Sequence, residues 1–161
     1  MKTKKLTLLA LLTGTALILS YVESMLPSVG IPGVKMGLAN IAVIFALYRL
    51  GWREALGISL VRVAMVSALF GSLSALLYSL AGAVLSLAVM ALLRKTDRFS
   101  QTGVSVAGGV LHNLGQIALA ALILDSGYVF AYLPVLLLSG TVAGALVGLL
   151  AGILIRRADV R

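Results

Sequence analysis

Arg62, Glu23, Asn40, His112, Asn113 and Gln116 interrupt or border long apolar runs, and Lys35 leads into one of them. Polar side chains at membrane depth are costly and mark binding sites or pathways, so these seven residues carry the functional reading. Arg62 lies nine residues beyond Arg53, about 13 Å along a helix, too deep to snorkel easily. It needs a carboxylate, several carbonyls or an anionic ligand group. Glu23, near the end of the first apolar run, is its natural partner. The pair can be a structural ion pair, a ligand contact, or both if it opens into a pocket.

The run Gly33-Val34-Lys35-Met36-Gly37-Leu38-Ala39-Asn40 leads into a short helix. A helix start with nearby glycines and a lysine favours an anionic group, and short helices near a midplane site recur in transporters. The alternative is a loop lysine that reaches lipid headgroups. His112, Asn113 and Gln116 share neighbouring parts of one helix face by their three- and four-residue spacings. Gly108, Gly109 and Gly115 keep the backbone near them accessible. Three hydrogen-bonding side chains exceed what packing requires and suit the orientation of a solute. The alternative is internal hydrogen bonding.

Bond-making chemistry has no such support. The five Asp and Glu are scattered, so no carboxylate cluster stands ready for Mg²⁺ and a diphosphate. No P-loop occurs, cysteine is absent, and the single histidine has no metal-ligand constellation. The expectation is a protein without catalytic residues, metal or cofactor. Asp125 reads as a solvated residue at a helix end, and Glu54 as a carboxylate suited to a helix start.

The elements that must position these residues are membrane helices. The chain has 161 residues, 61% hydrophobic and 11% charged, with a mean hydropathy of +1.12. That is too little charge to cover a globule in water. The net charge of +8 does not indicate nucleic acid, because the basic residues sit in small clusters at the ends of apolar runs, where lipid headgroups explain them. The runs 6–26, 36–50, 55–70, 73–93, 104–124 and 131–155 predict an all-α bundle of six transmembrane helices in one domain, the second short. With six crossings, Lys2, Lys4, Lys5, Arg49, Arg53, Arg94, Lys95, Arg98, Arg156, Arg157 and Arg161 fall on one side. The positive-inside rule makes that side cytoplasmic, with both termini there. Tyr48 and Trp52 then mark the inner interface, and Tyr21, Tyr128 and Tyr132 the outer one. The Pro- and Gly-containing stretch 27–35 is an outer turn-rich loop. The basic start resembles a signal peptide, but no convincing small-x-small cleavage site follows Leu19, so retention is expected.

Gly140, Gly144, Gly148 and Gly152 recur every four residues and form a bare helix face, as do Ala10 and Gly14 on the first helix. Such faces let backbones approach closely in lipid. They serve packing inside the bundle or docking of another membrane subunit.

Glu23-Ser24-x-x-Pro27, Pro32-Gly33-x-Lys35-x-Gly37-Leu38-Ala39-Asn40, Ser105-Val-Ala-Gly-Gly-x-x-His112-Asn113-x-Gly115-Gln116 and Tyr132-Leu133-Pro134 together resemble the bacterial membrane family known as heptaprenyl diphosphate synthase component I, or Gx transporter family. The resemblance runs over nearly the whole chain; Met36 departs from an expected leucine. It implies a bacterial cytoplasmic membrane protein. The six-helix build is in turn similar to the S components of energy-coupling factor transporters, which bind a vitamin-like solute from outside while partner subunits hydrolyse ATP. That likeness implies that Ala10-x-x-x-Gly14 meets a coupling subunit. A prenyl chain-elongating enzyme would carry aspartate-rich motifs that this chain lacks.

Two functions follow as expectations. In the first, a substrate-binding subunit takes up a small anionic solute in an outward-opening pocket lined by Glu23, Lys35, Asn40, Arg62, His112, Asn113 and Gln116. Coupling and ATPase subunits, or further copies of the chain, assist it. In the second, a non-catalytic accessory subunit anchors an isoprenoid- or quinone-related enzyme, and a glycine face holds the partner.

Overall fold

The computed structural model describes residues 2–25 and 36–159, and the described residues are helical with short links. Helix α1 spans Lys2–Met25, α2 Asn40–Arg49, α3 Trp52–Phe70, α4 Leu73–Lys95, α5 Gln101–Leu124 and α6 Leu133–Asp159, with a 3₁₀ turn Gly127–Tyr132 before α6. Local chemistry sets the ends. Ser72 Oγ accepts from Ala75 N at 3.2 Å and Ser100 Oγ from Gly103 N at 3.1 Å, each satisfying an orphan donor in a first turn. Between α2 and α3 the chain turns through Leu50 and Gly51, and Gly51 has φ +129°, a conformation L side chains rarely adopt.

Four segments are long and apolar enough to cross a bilayer: Thr3–Met25, Leu73–Lys95, Gln101–Leu124 and Gly127–Ala158. The chain is a multi-pass helical membrane protein. Six helices stand where six spans were expected, the second short as expected, and helix length and hydropathy support four of them as full crossings. With 10 residues, α2 rises about 15 Å, half of a hydrocarbon core. Its predicted first turn is not helical, since the α-helix begins only at Asn40. Helix α3 has 19 residues but carries Arg53, Glu54 and Arg62.

The short helix is the centre of the molecule. Ala42, Val43, Ile44, Ala46 and Leu47 are all buried, in one cluster with Leu12, Ala16, Ile58, Leu87, Met90 and Val147 from the surrounding helices. A helix apolar on nearly every side belongs inside a bundle. Its C-terminal carbonyls are held from α4: the Arg94 guanidinium donates to Leu47 O and, at 3.0 Å, to Tyr48 O, and lies 5.1 Å from the Tyr48 ring centroid. At the same end Lys5 of α1 pairs with Glu54 of α3, so the basic clusters of several helices gather at one end of the bundle.

Helices α4, α5 and α6 pack through glycines. A Cβ at Gly82 of α4 would lie 2.6 Å from His112 O, and one at Gly115 of α5 would lie 2.9 Å from Ala81 O. On α6, Gly140 faces Gly109, Gly144 faces Ser105 and Val106, and Gly148 faces Thr102 and Ser105. The face Gly140, Gly144, Gly148 is therefore used inside the bundle and is not free for a partner subunit, which corrects that half of the partner-interface expectation. Ala10 is exposed, and a Cβ at Gly14 would meet nothing within 4 Å. The α1 pair thus stays uncovered by the rest of the described chain.

Candidate functional site

The buried half-helix α2 starts inside the bundle, and the site is built around that start. Gly37 has φ +70°, which turns the chain so that its amide faces α1. There Glu23 Oε1 accepts from Gly37 N at 2.6 Å. Asn40 N donates to Gly37 O at 2.9 Å and Ile41 N to Leu38 O at 3.1 Å, a tight first turn. A carboxylate beside the first turn of a helix matches the partial positive charge there.

Two adjacent cavities border this point and share part of their lining. The inner lobe, of about 80 Å³, lies among α2, α4, α5 and α6, and its lining includes Gly37, Asn40, Ser86, Met90, Ser105 and Asn113. The outer lobe, of about 260 Å³, lies between α1, α3 and α4, lined by Ser20, Ser24, Val63, Val66, Ser67, Phe70, Ala75 and Ser79 among others. Glu23, Arg62, His112 and Gln116 line both lobes, and the boundary they mark where the lobes adjoin is called the neck below.

The structure thus brings together Glu23, Asn40, Arg62, His112, Asn113 and Gln116, from four helices and the far reaches of the sequence. Lys35 lies outside the described residues. Arg62 and Glu23 are close enough to interact electrostatically, but the pairing leaves Arg62 Nε buried with no hydrogen-bond partner. A buried donor without an acceptor costs about 1–3 kcal/mol.

Asn113 differs from expectation in the capacity it has left. Its Nδ2 donates to Leu136 O at 2.6 Å and to Ser139 Oγ at 3.4 Å, so both amide protons serve α6. The facing carbonyl fixes which way the amide points, and only its oxygen remains to meet a solute.

The sequence reading missed the serines. Ser86 Oγ donates to Gly108 O at 2.8 Å and ties α4 to α5. Ser105, 2% exposed, has an Oγ with no partner in the lining of the inner lobe. Hydroxyls in membrane helices commonly bond back to their own preceding turn, as Thr13 does to Leu9 O at 2.8 Å. Sequence therefore gives a serine little weight. The one available signal was the glycine-rich setting of Ser105, four residues before Gly109.

Among the described residues no three His, Asp or Glu side chains come together as a metal site. A family model described as heptaprenyl diphosphate synthase component I matches residues 12–154. No curated protein and no solved structure matches the chain.

Proposed function

For this chain, which belongs to the heptaprenyl diphosphate synthase component I family, we propose the role of solute-binding membrane subunit of an uptake system, with Arg62 as its anion-binding group. The observation that carries this reading is the Arg62 guanidinium, whose Nε is buried and unpartnered at the neck of a two-lobed cavity. A structural ion pair alone would need neither the unsatisfied donor nor the space around it. Gln116 and His112 stand at the same neck to orient the solute, and Asn40 and the Asn113 carbonyl border the inner lobe. In this reading both termini lie in the cytoplasm of a bacterial cell, by the sidedness of the basic residues. The wide lobe then faces outward. Other subunits supply the energy, because the sequence has no nucleotide-binding loop of its own.

The test is binding. Native mass spectrometry of the detergent-purified chain should retain a small anion that the Arg62→Gln variant loses while its helix content and melting temperature hold. A folded protein that carries no ligand and gains no stability from a broad panel of small anions would refute the proposal.

The word "component" in the family description favours a second reading, an accessory subunit for a prenyl diphosphate enzyme. The uncovered Ala10 and Gly14 face would dock the partner, and the cavity would be incidental. Under it, Arg62→Gln and Gln116→Leu leave function intact, whereas Gly14→Leu abolishes co-purification of the partner.

A further inference from the structure

The dimensions and donors of the two lobes restrict the solute further. From them we infer that the ligand has a ring-sized body in the outer lobe and one short arm ending in a single carboxylate, which enters the inner lobe between Arg62 and Ser105; this rests on the solute-binding reading above.

Size comes first. An apolar cavity of about 150 Å³ takes a benzene molecule. The outer lobe, at about 260 Å³, exceeds that, whereas the inner lobe, at about 80 Å³, is roughly half of it. The body of a solute therefore stays outside the neck, against Val63, Val66 and Phe70, and only a group of a few heavy atoms passes inward.

The inner lobe decides what that group is. Two of its lining residues carry fully buried polar atoms without partners, Arg62 Nε and Ser105 Oγ. Ser105 itself is 2% exposed, so bulk water does not compensate its hydroxyl. Both can donate, and the N-terminal turn of α2 adds partial positive charge. An apolar prenyl tail would leave every one of these donors unmet.

Charge separates a carboxylate from a diphosphate. Arg62 and Glu23 are the charged side chains of the described lining and offset one another. One added negative charge can be held by the guanidinium, the helix start and the hydroxyl. A diphosphate brings several charges into a low-dielectric site whose described lining carries a single guanidinium, and it is too bulky for the inner lobe.

Thermal-shift and calorimetric titrations of the detergent-purified full chain test this. The probes are aromatic monocarboxylates with zero to three methylenes between ring and carboxylate, their primary amides, and geranyl diphosphate. Binding should peak at one arm length, and the amide of that compound should bind about tenfold to a hundredfold more weakly, the range for losing a charge-assisted hydrogen bond. Ser105→Ala should weaken that same compound at least severalfold and leave the shortest arm unaffected. Arg62→Gln should abolish binding of the series. Tighter binding of geranyl diphosphate than of any carboxylate, still dependent on Arg62, would overturn this inference and keep the solute site. Indifference to arm length or to Ser105→Ala would also overturn it. Silence from every probe in a folded protein would sink both.

Discussion

Gly140 on α6 and Gly109 on α5 meet backbone to backbone: a Cβ at Gly140 would lie 2.8 Å from the Gly109 carbonyl oxygen and 2.9 Å from Asn113 Nδ2. That approach brings Leu136 O within 2.6 Å of the same amide nitrogen. The glycine contact and the polar lining of the inner lobe are thus one assembly.

Gly140→Ala should destabilise the protein by about 1–3 kcal/mol, the range for overpacking a tight contact. Gly14→Ala, whose new methyl meets nothing within 4 Å, should leave the melting temperature unchanged or slightly raised by helix propensity. Thermal unfolding in one detergent compares the two. Equal effects would mean that the α5–α6 interface does not depend on bare backbone.

Arg94→Lys should lower stability almost as much as Arg94→Ala, by about 1–3 kcal/mol. The guanidinium reaches two successive carbonyls, Leu47 O and Tyr48 O, and an ammonium cannot reproduce that planar fork. Because α2 also carries Asn40 into the cavity, ligand affinity should fall alongside. Full rescue by lysine would show that only the charge matters.

Asn113→Asp should be more damaging than Asn113→Leu. Aspartate places an acceptor against Leu136 O and a charge in a buried position, 9% exposed, whereas leucine loses hydrogen bonds without adding repulsion. The difference should exceed about 2 kcal/mol in unfolding free energy. A milder effect for aspartate would mean that the amide does not bind α6 in solution.

Lys5 and Glu54 predict a small acid sensitivity. The hydrogen bond from Lys5 holds the Glu54 carboxyl below its ordinary value of 4.5. A depressed folded-state value means the pair's contribution is complete above about pH 4.5 and is lost as pH falls through the folded value. Glu54→Gln should therefore lower stability at pH 7 by less than about 1 kcal/mol, and the difference from the parent protein should shrink as pH falls below 4.5. A constant difference across that range would exclude titration of this pair as its source.

Much of the cavity lining was legible because hydrocarbon tolerates few polar groups. Arg62, His112, Asn113 and Gln116 stand out against apolar neighbours in any reading of the chain, and Glu23 follows as the carboxylate that a deep guanidinium requires. Ser105 was not legible, since a hydroxyl is unremarkable in a membrane helix until its neighbours leave it without a carbonyl. Asn113 was legible as a polar residue, but its internal duty toward Leu136 was not, because that partner lies 23 residues away on another helix.

The sequence by itself determined that the chain is helical and membrane-embedded, and where its helices run within a few residues. Apolar run length and the clustering of Lys and Arg are local properties, and they answer to the bilayer whatever the neighbours do. Tertiary structure alone decided which way each face points. It turned the glycine stripe of α6 inward against α5, left Ala10 and Gly14 uncovered, and buried the short α2 with its start against Glu23. Facing is set by which helices lie alongside, through contacts between residues far apart in the chain, and a spacing of three or four residues carries no record of the neighbour it will meet.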